Sequence, residues 1–291
     1  FELLPVAGST VYESQLSGKL HASNDVDEFT IDLEQGKLVS IAFTSSGTLQ
    51  PNLQFLSPSS ALLSSATATA TGSGLINAYR VLNSGSYRLR LSSVGALTSG
   101  DYSIRVVLNA AVENEFIGIA NNSLSAAEDV SANFQSVLVG SDRTNVTGSL
   151  SSNTDLDWYS FTATAGQRVS VSSGAVDGTA LQIAVLNNSG TTLQTSNLVN
   201  LNSYIHDLLL TASGTYYIRV GGNIATYALN LVRGAQIDND NNNSPVVSQP
   251  ITSSGTLVGH VGSPQSTISS SSDEQANAIQ ENLANRAQVI E

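Results

Sequence analysis

The chain contains no cysteine and no methionine in 291 residues. Without cysteine there is no disulfide, no thiolate ligand and no thiol nucleophile. Without methionine there is no initiator, and the sequence reads as a processed product or a piece of something longer. Charge is scarce: Asp, Glu, Lys and Arg make up 12% of the chain, with 11 basic residues against 23 acidic ones and a net charge of −12. Nucleic acid and anionic lipid both call for basic patches, so neither is expected as a partner. Divalent cations remain possible. No run approaches the ~20 apolar residues of a membrane-spanning helix. The three histidines, His21, His206 and His260, are scattered and lack metal-site spacing. Without cysteine, catalysis would need Ser/His/Asp or paired carboxylates, and no Gly-x-Ser-x-Gly elbow occurs. No enzyme is expected. A surface of Ser, Thr, Asn and Gly with no oxidisable sulfur suits an exported bacterial protein, secreted or held at the cell surface.

What is present is a repeat. Gly148, Asp155, Asp157, Trp158, Tyr159 and Phe161 close a turn-rich approach to a strand, and Gly18, Asp25, Asp27, Glu28, Phe29 and Ile31 precede them by 130 residues. Gly36 answers Gly166 at the same offset. Gly85-Ser-Tyr87-Arg-Leu-Arg-Leu91 then answers Gly214-Thr-Tyr216-Tyr-Ile-Arg-Val220, and Tyr102-Ser-Ile104 answers Tyr227-Ala-Leu229. One domain has been duplicated.

Within each copy the apolar residues alternate with period two over short runs, the pattern of half-buried strands. Tyr87, Leu89 and Leu91 face one way, and Arg88 and Arg90 the other. Ser84-Gly85, Ser99-Gly100-Asp101 and Asn187-Asn-Ser-Gly190 supply turns between runs. The pattern predicts an all-β protein of two tandem antiparallel β-sandwich (jelly-roll-like) domains, with a C-terminal extended segment and one helix. The expected divisions are a lead strand over 1–10, a first sandwich over 11–108, a linker over 109–142, a second sandwich over 143–233, and a last segment over 234–291. In the linker, Ser123 or Ser125 caps a short helical turn. In the last segment, 255–261 is a candidate strand. Ser271-Ser-Asp-Glu274 resembles a capping box before a helix over 273–290, where Ala276, Ile279, Leu283, Ala287 and Ile290 form one apolar stripe.

The ordered motifs resemble the bacterial pre-peptidase C-terminal domain. The second copy carries the series from Gly148 through Asp155, Asp157, Trp158, Tyr159, Ala165-Gly166-Gln167, Gly190, Gly214, Tyr216, Ile218 and Val220 to Tyr227 and Leu229. The first copy is looser, with Glu28 where an aromatic is usual and Glu34-Gln-Gly36 for the Ala-Gly-Gln turn. Glu113-x-Glu115 and Asn121-Asn122 resemble that family's acidic, Asn-rich lead-in segment. The resemblance implies non-catalytic β-sandwiches found beside secreted peptidases and other exported hydrolases or in long surface proteins. Some relatives bind calcium, and some bind an extracellular polymer such as collagen.

The resemblance makes calcium the candidate cofactor, with Glu113, Glu115, Asp155 and Asp157 as ligands if the linker folds back on the Asp-x-Asp strand. Two residues apart on a strand, Asp155 and Asp157 point to the same side. The alternative is that they cap turns and bond backbone amides. Asp25 and Asp27 form the corresponding pair in the first copy but lack upstream acids. Asp238 and Asp240 lie in a loop that reads either as a calcium loop or as a solvated linker, and it lacks the downstream Glu of an EF-hand. Trp158 and Tyr159 suggest a sugar-stacking platform or, for one of them, a core position. The favoured expectation is a non-catalytic extracellular structural or adhesive module, a subunit or segment of a bacterial filament, layer or matrix that joins other copies through its lead strand and helical tail. The alternative is a pair of targeting domains that hold a secreted peptidase or other hydrolase on an extracellular polymer.

Overall fold

The computed structural model describes all residues except 5, 22–23, 95–98, 200–201, 239–248, 250–256, 260–267 and 271–291. The chain divides into two compact units. Unit 1 takes Phe1–Leu3, Tyr12–Leu108 and Ser263–Glu291, and unit 2 takes Leu4–Val11 and Asn109–Gly262. Among the described residues there is no α-helix. Regular structure is strand, plus single 3₁₀ turns at Asn114–Ile117, Leu124–Ala126 and Ser131–Asn133. Ser123 sits at the start of the second turn but makes no side-chain cap bond there.

Unit 1 is a sandwich of two five-stranded sheets. One runs in the order β1 (Glu2–Leu3), β2 (Tyr12–Leu20), β9 (Gly100–Leu108), β4 (Leu38–Ser45), β7 (Ser73–Arg80). The other runs β24 (Ile268–Ser270), β3 (Val26–Leu33), β8 (Gly85–Ser93), β5 (Pro51–Leu56), β6 (Leu62–Thr67). The alternation read from the sequence sets the core. Phe29, Ile31, Leu53, Phe55, Tyr87, Leu89, Leu91, Tyr102 and Ile104 are buried between the sheets, and Arg88 and Arg90 face out to pair with Glu28. Phe55 stacks on Tyr87 with ring centroids 5.2 Å apart.

Unit 2 repeats the plan. One sheet runs β10 (Ala111–Val112), β13 (Ser141–Leu150), β21 (Ala225–Arg233), β15 (Arg168–Ala175), β19 (Asn202–Leu209), β18 (Asn197–Val199), with β12 (Gln135–Leu138) also paired to β13. The other runs β11 (Glu128–Asp129), β14 (Leu156–Ala163), β20 (Gly214–Gly222), β16 (Leu181–Leu186), β17 (Thr192–Thr195). A two-stranded pair, β22 (Gln236–Ile237) with β23 (Leu257–Val258), completes the unit. The four central strands of each sheet follow the same order in both units.

The duplication extends to individual hydrogen bonds. Tyr87 Oη donates to Asn83 O at 2.6 Å, and Tyr216 Oη to Ala212 O at 2.7 Å. The amides of Gly36 and Gly166 each donate across a turn at 2.8 Å, to Val81 O and Leu210 O. These glycines have φ of 87° and 85°, the left-handed region where a Cβ is costly. Each unit also has a bulge. Ala78 and Asp207, both at positive φ, give their amides to Ser40 Oγ and Ser170 Oγ. A serine facing the strand supplies the acceptor that the bulge takes from the ladder.

The outward face of the β13–β21–β15–β19 sheet is covered. Asn145, Asn230, Ser172 and Tyr204 lie side by side across those four strands and are buried. Residues of the lead cross over them. Ser172 Oγ and Asn230 Nδ2 both donate to Ala7 O, at 2.7 and 3.2 Å, and Arg143 donates to Gly8 O and Thr10 Oγ1. The lead is therefore split: Glu2–Leu3 forms an edge strand of unit 1, and Leu4–Val11 packs into unit 2. The expected linker is built into unit 2 as β10, β11 and β12. The candidate strand over 255–261 is β23 with Gly259, its remaining positions lying outside the described residues, as does the expected helix over 273–290.

Candidate metal centre

The acid-bearing segment reaches unit 2 through a short parallel pairing, Ala111 opposite Val146 and Val112 opposite Thr147. Glu113 N then donates to Thr147 O at 3.0 Å, which sets its side chain against Gly148 and Ser149. A 3₁₀ turn ending at Gly118, in the left-handed region, brings Glu115 back toward the same point. Farther on, Asn121 O accepts from Trp158 N at 3.0 Å, and β11 pairs in parallel with Tyr159 and Ser160 of β14. The segment thus edges both sheets of the sandwich, with the acids at the seam between β13 and β14.

One oxygen from each of Glu113, Glu115 and Asp157 lies within 4.8 Å of the others. Calcium takes oxygens at ~2.3–2.6 Å, so ligands on opposite sides of one ion stand roughly 5 Å apart. The Asn121 amide points at the same place, 3.1 Å from Asp157 Oδ1 and 3.2 Å from Glu115 Oε2. Turned one way it donates an N–H to both. Turned the other way it presents Oδ1 as a further oxygen ligand. None of the ion pairs among the described residues involves these acids.

Beneath the acids runs a closed polar chain. Glu113 Oε2 is 3.2 Å from Tyr159 Oη, Tyr159 Oη is 2.7 Å from Tyr227 Oη, and Tyr227 Oη is 2.6 Å from Asp157 Oδ2. These three links need three protons, and two hydroxyls supply two. For all three to be hydrogen bonds, the third must come from a carboxyl. Burial beside Asp157 pushes Glu113 up to about 9, and burial, then the neighbouring charges, pushes Asp157 up to about 7. Glu115 and the half-buried Glu128 are also raised, chiefly by burial. Two buried, unpaired carboxylates are costly, and they are relieved either by protons or by a cation. Glu113 is further held by Ser149, whose N–H and Oγ–H both donate to Oε1, at 2.5 and 3.1 Å. Gly148 makes room for all this. A Cβ there would stand 2.5 Å from Glu113 Oε2 and 2.6 Å from Tyr227 Oη.

Of the four acids named for this site from sequence, the structure brings three together. Asp155 is instead used in the turn, where Oδ2 accepts from Ser151 N and Oγ at 2.7 and 2.6 Å and Oδ1 accepts from Leu156 N. It remains close enough to act on Glu115 and Asp157 by charge. In the first copy, Asp25 caps the equivalent turn through His21 N at 2.8 Å, and Asp27 accepts from Tyr102 Oη at 2.5 Å. Phe29 stands where Tyr159 stands, so the hydroxyl chain is cut there, and among the described residues no third acid joins Asp25 and Asp27. Asp238 N donates to Val258 O, while Asp240 lies outside the described residues. Sequence reasoning missed Tyr159 and Tyr227 as partners of the acids, and Asn121 as a side chain aimed at them. The Gly148–Tyr227 and Gly18–Tyr102 repeats were the available signal. Trp158 and Tyr159 separate as the strand period requires. Tyr159 is in the core, and Trp158 faces outward with Arg219 5.6 Å from its ring centroid.

These features define an all-β chain of two similar sandwiches, the second carrying a buried acid cluster. Residues 155–222 match the family described as the bacterial pre-peptidase C-terminal domain, within the second copy. Domains of this kind are non-catalytic accessories of secreted peptidases and surface proteins. No curated protein matches the chain. Among solved structures, the pre-peptidase C-terminal domain of collagenase from Bacillus anthracis is 17% identical, over 36% of this chain and 93% of that one, with a TM-score of 0.30. The periplasmic g-type lysozyme inhibitor PliG of Salmonella Typhimurium is 23% identical, over 38% of this chain and 99% of that one, with a TM-score of 0.25. Likenesses with TM-scores this low say nothing about function. No helix among the described residues is long and apolar enough to cross a membrane.

Proposed function

We propose that the chain is a non-catalytic extracellular structural and adhesive module, a subunit or segment of a bacterial surface assembly, whose second sandwich is locked by calcium. The observation that supports this is the convergence of Glu113, Glu115, Asp157 and the Asn121 amide on one point, with Glu113 and Asp157 buried and in no ion pair among the described residues. Calcium there ties the segment carrying β10 and β11 to the sandwich. Titration calorimetry with calcium tests the site directly, over the ~10⁻⁴–10⁻³ M range of extracellular calcium modules. Heat and a raised melting temperature, both lost in the variant Glu113→Gln/Asp157→Asn, are expected. Absence of both with millimolar calcium refutes the metal site. Sedimentation velocity with calcium and with chelator tests assembly. Large species that disappear on removal of residues 244–291 are expected, and a monomer at every concentration sinks that half of the reading.

A second reading, polymer targeting for a hydrolase, is favoured by Trp158, half-exposed on the outward face of β14 beside Arg219 and near Tyr217 of β20. Retention on insoluble polysaccharide or collagen fibres, lost with Trp158→Ala, would select it over assembly.

A further inference from the structure

The two units differ in how one sheet edge is closed. In unit 2 the outer edge of β14 is covered by β11, a piece of the chain just upstream, running parallel. In unit 1 the equivalent strand is β3, and its edge is covered by β24 from the far end of the sequence, running antiparallel. The register places Ile268 opposite Ile31, Ser269 opposite Thr30 and Ser270 opposite Phe29. On its other side β3 is paired to β8 over eight positions, from Val26–Ser92 to Leu33–Gly85. Phe29 and Ile31 are fixed in the core, so its backbone edge stays in one register. Removing β24 would leave that edge an open template for any matching strand.

We propose that β24 is a donor strand and the β3 edge its acceptor between copies: residues 268–270 of one chain complete the first sandwich of the next. The occupant is a second copy of this chain. This deepens the assembly reading and rests on it. Three features support it. The ladder is only three residues long, so little is lost when it opens. The donor lies in Ser266-Thr-Ile-Ser-Ser-Ser-Ser272, which contains no charge and no proline to discourage strand pairing. The same contacts form whether the strand comes from the same chain or from another, which is the condition for swapping. Donor and acceptor are different surfaces, so each copy carries one of each. The contact is head-to-tail and propagates unless a ring closes it. Main-chain pairing of this kind is a recurrent mode of assembly. The choice between closed and exchanged forms depends on protein concentration relative to the strand's effective concentration within its own chain, which is millimolar for short tethers. Exchange is therefore favoured where copies are crowded, as in a surface layer.

The absence of cysteine makes a clean test possible. Residues directly opposite on antiparallel strands have Cα atoms ~4.5–5.5 Å apart, inside the span of a disulfide. Two full-length single variants, Thr30→Cys and Ser269→Cys, are mixed and oxidised over a range of concentrations. A mixed dimer carrying one chain of each kind, rising with concentration and absent when Ile268→Pro blocks the strand in the Ser269→Cys chain, is the expected result. The double variant Thr30→Cys/Ser269→Cys should give an internal disulfide when dilute and a ladder of multimers when concentrated. No mixed product at millimolar protein, with an internal disulfide in the double variant at every concentration, would overturn the exchange. No disulfide of either kind would overturn the pairing itself. Large species in sedimentation without the mixed product would leave assembly standing and remove this strand from it. Calcium-dependent melting of Ile268→Pro, unchanged from the parent, serves as the folding control.

Discussion

Raising the pH of the metal-free protein should weaken the second sandwich, the reverse of ordinary acid denaturation. Glu113 and Asp157 have folded pKa values near 9 and 7, against 4.5 and 3.8 for the free groups. Between those limits the folded state holds protons that the unfolded chain has released. Stability is then lost as pH rises, beginning above the unfolded values and ending at the folded ones. Each acid contributes up to about 1.4 kcal/mol per pH unit while that difference lasts. From pH 5 to 7 the pair costs roughly 3–5 kcal/mol, an order-of-magnitude figure because the two acids interact. For a unit of this size that is on the order of 10 °C in melting temperature. If calcium takes the place of the protons, as proposed, added calcium should restore the loss at pH 7.5 and do little at pH 5. Calcium at a hundred times its dissociation constant contributes about 2.7 kcal/mol. The assay is scanning calorimetry in chelator and in calcium at both pH values, with Glu113→Gln/Asp157→Asn alongside. The double variant should lose both the calcium response and the downward slope. Metal-free stability that rises from pH 5 to 7.5, or a double variant that keeps the slope, would refute the reasoning.

Three further outcomes rest on the same geometry. Gly148→Ala should lower the melting temperature of the second unit and weaken calcium binding at least tenfold by calorimetry, because its Cβ meets Glu113 Oε2 and Tyr227 Oη at 2.5 and 2.6 Å. Gly166→Ala should cost about 1–2 kcal/mol by denaturant unfolding through backbone strain alone, since φ is 85° and nothing lies within 4 Å of a Cβ there. Tyr227→Phe should destabilise by about 1–3 kcal/mol in chelator, since the buried Asp157 loses its 2.6 Å donor, and by less in calcium.

The strands were legible because alternation survives wherever one face is buried, and the turns because Gly36, Gly166 and Gly190 meet local backbone demands. The core pairing of Phe55 with Tyr87 and the outward Arg88 and Arg90 follow from that alternation alone. The bulges at Ala78 and Asp207 were not legible, because what supports them is a serine on a neighbouring strand. The covered row of Asn145, Asn230 and Ser172 reads as a solvent face, since polar residues at alternate positions normally are one. At the acid cluster, Glu113, Glu115 and Asp157 could be named from motif order. Asp155 could not be separated from them, because a capping acid and a ligating acid look alike in sequence. The role of Tyr159 depends on its hydroxyl reaching Tyr227 across the two sheets, a contact 68 residues apart that period and spacing do not encode.

The stem of the second sandwich sets how it would carry mechanical load. Its chain enters along β10, and β21 is the last strand of its two sheets before the β22–β23 pair; β10 and β21 are both laid against β13. Arg233 sits level with Asp142, near the start of that strand, and Ala111 level with Val146, midway along it, and the chain beyond each points toward the same end. Tension applied across Asn109 and Gly234 would peel β10 and β21 away one rung at a time rather than shear the whole ladder at once. Glu113 and Gly148 lie farther along β13 from that stem, so an ion held there would act as a stop that the tear meets only after the first rungs have opened. In a surface polymer under flow, such a module would yield early at low force and then stiffen, and the force at which it stopped yielding would depend on calcium in the medium.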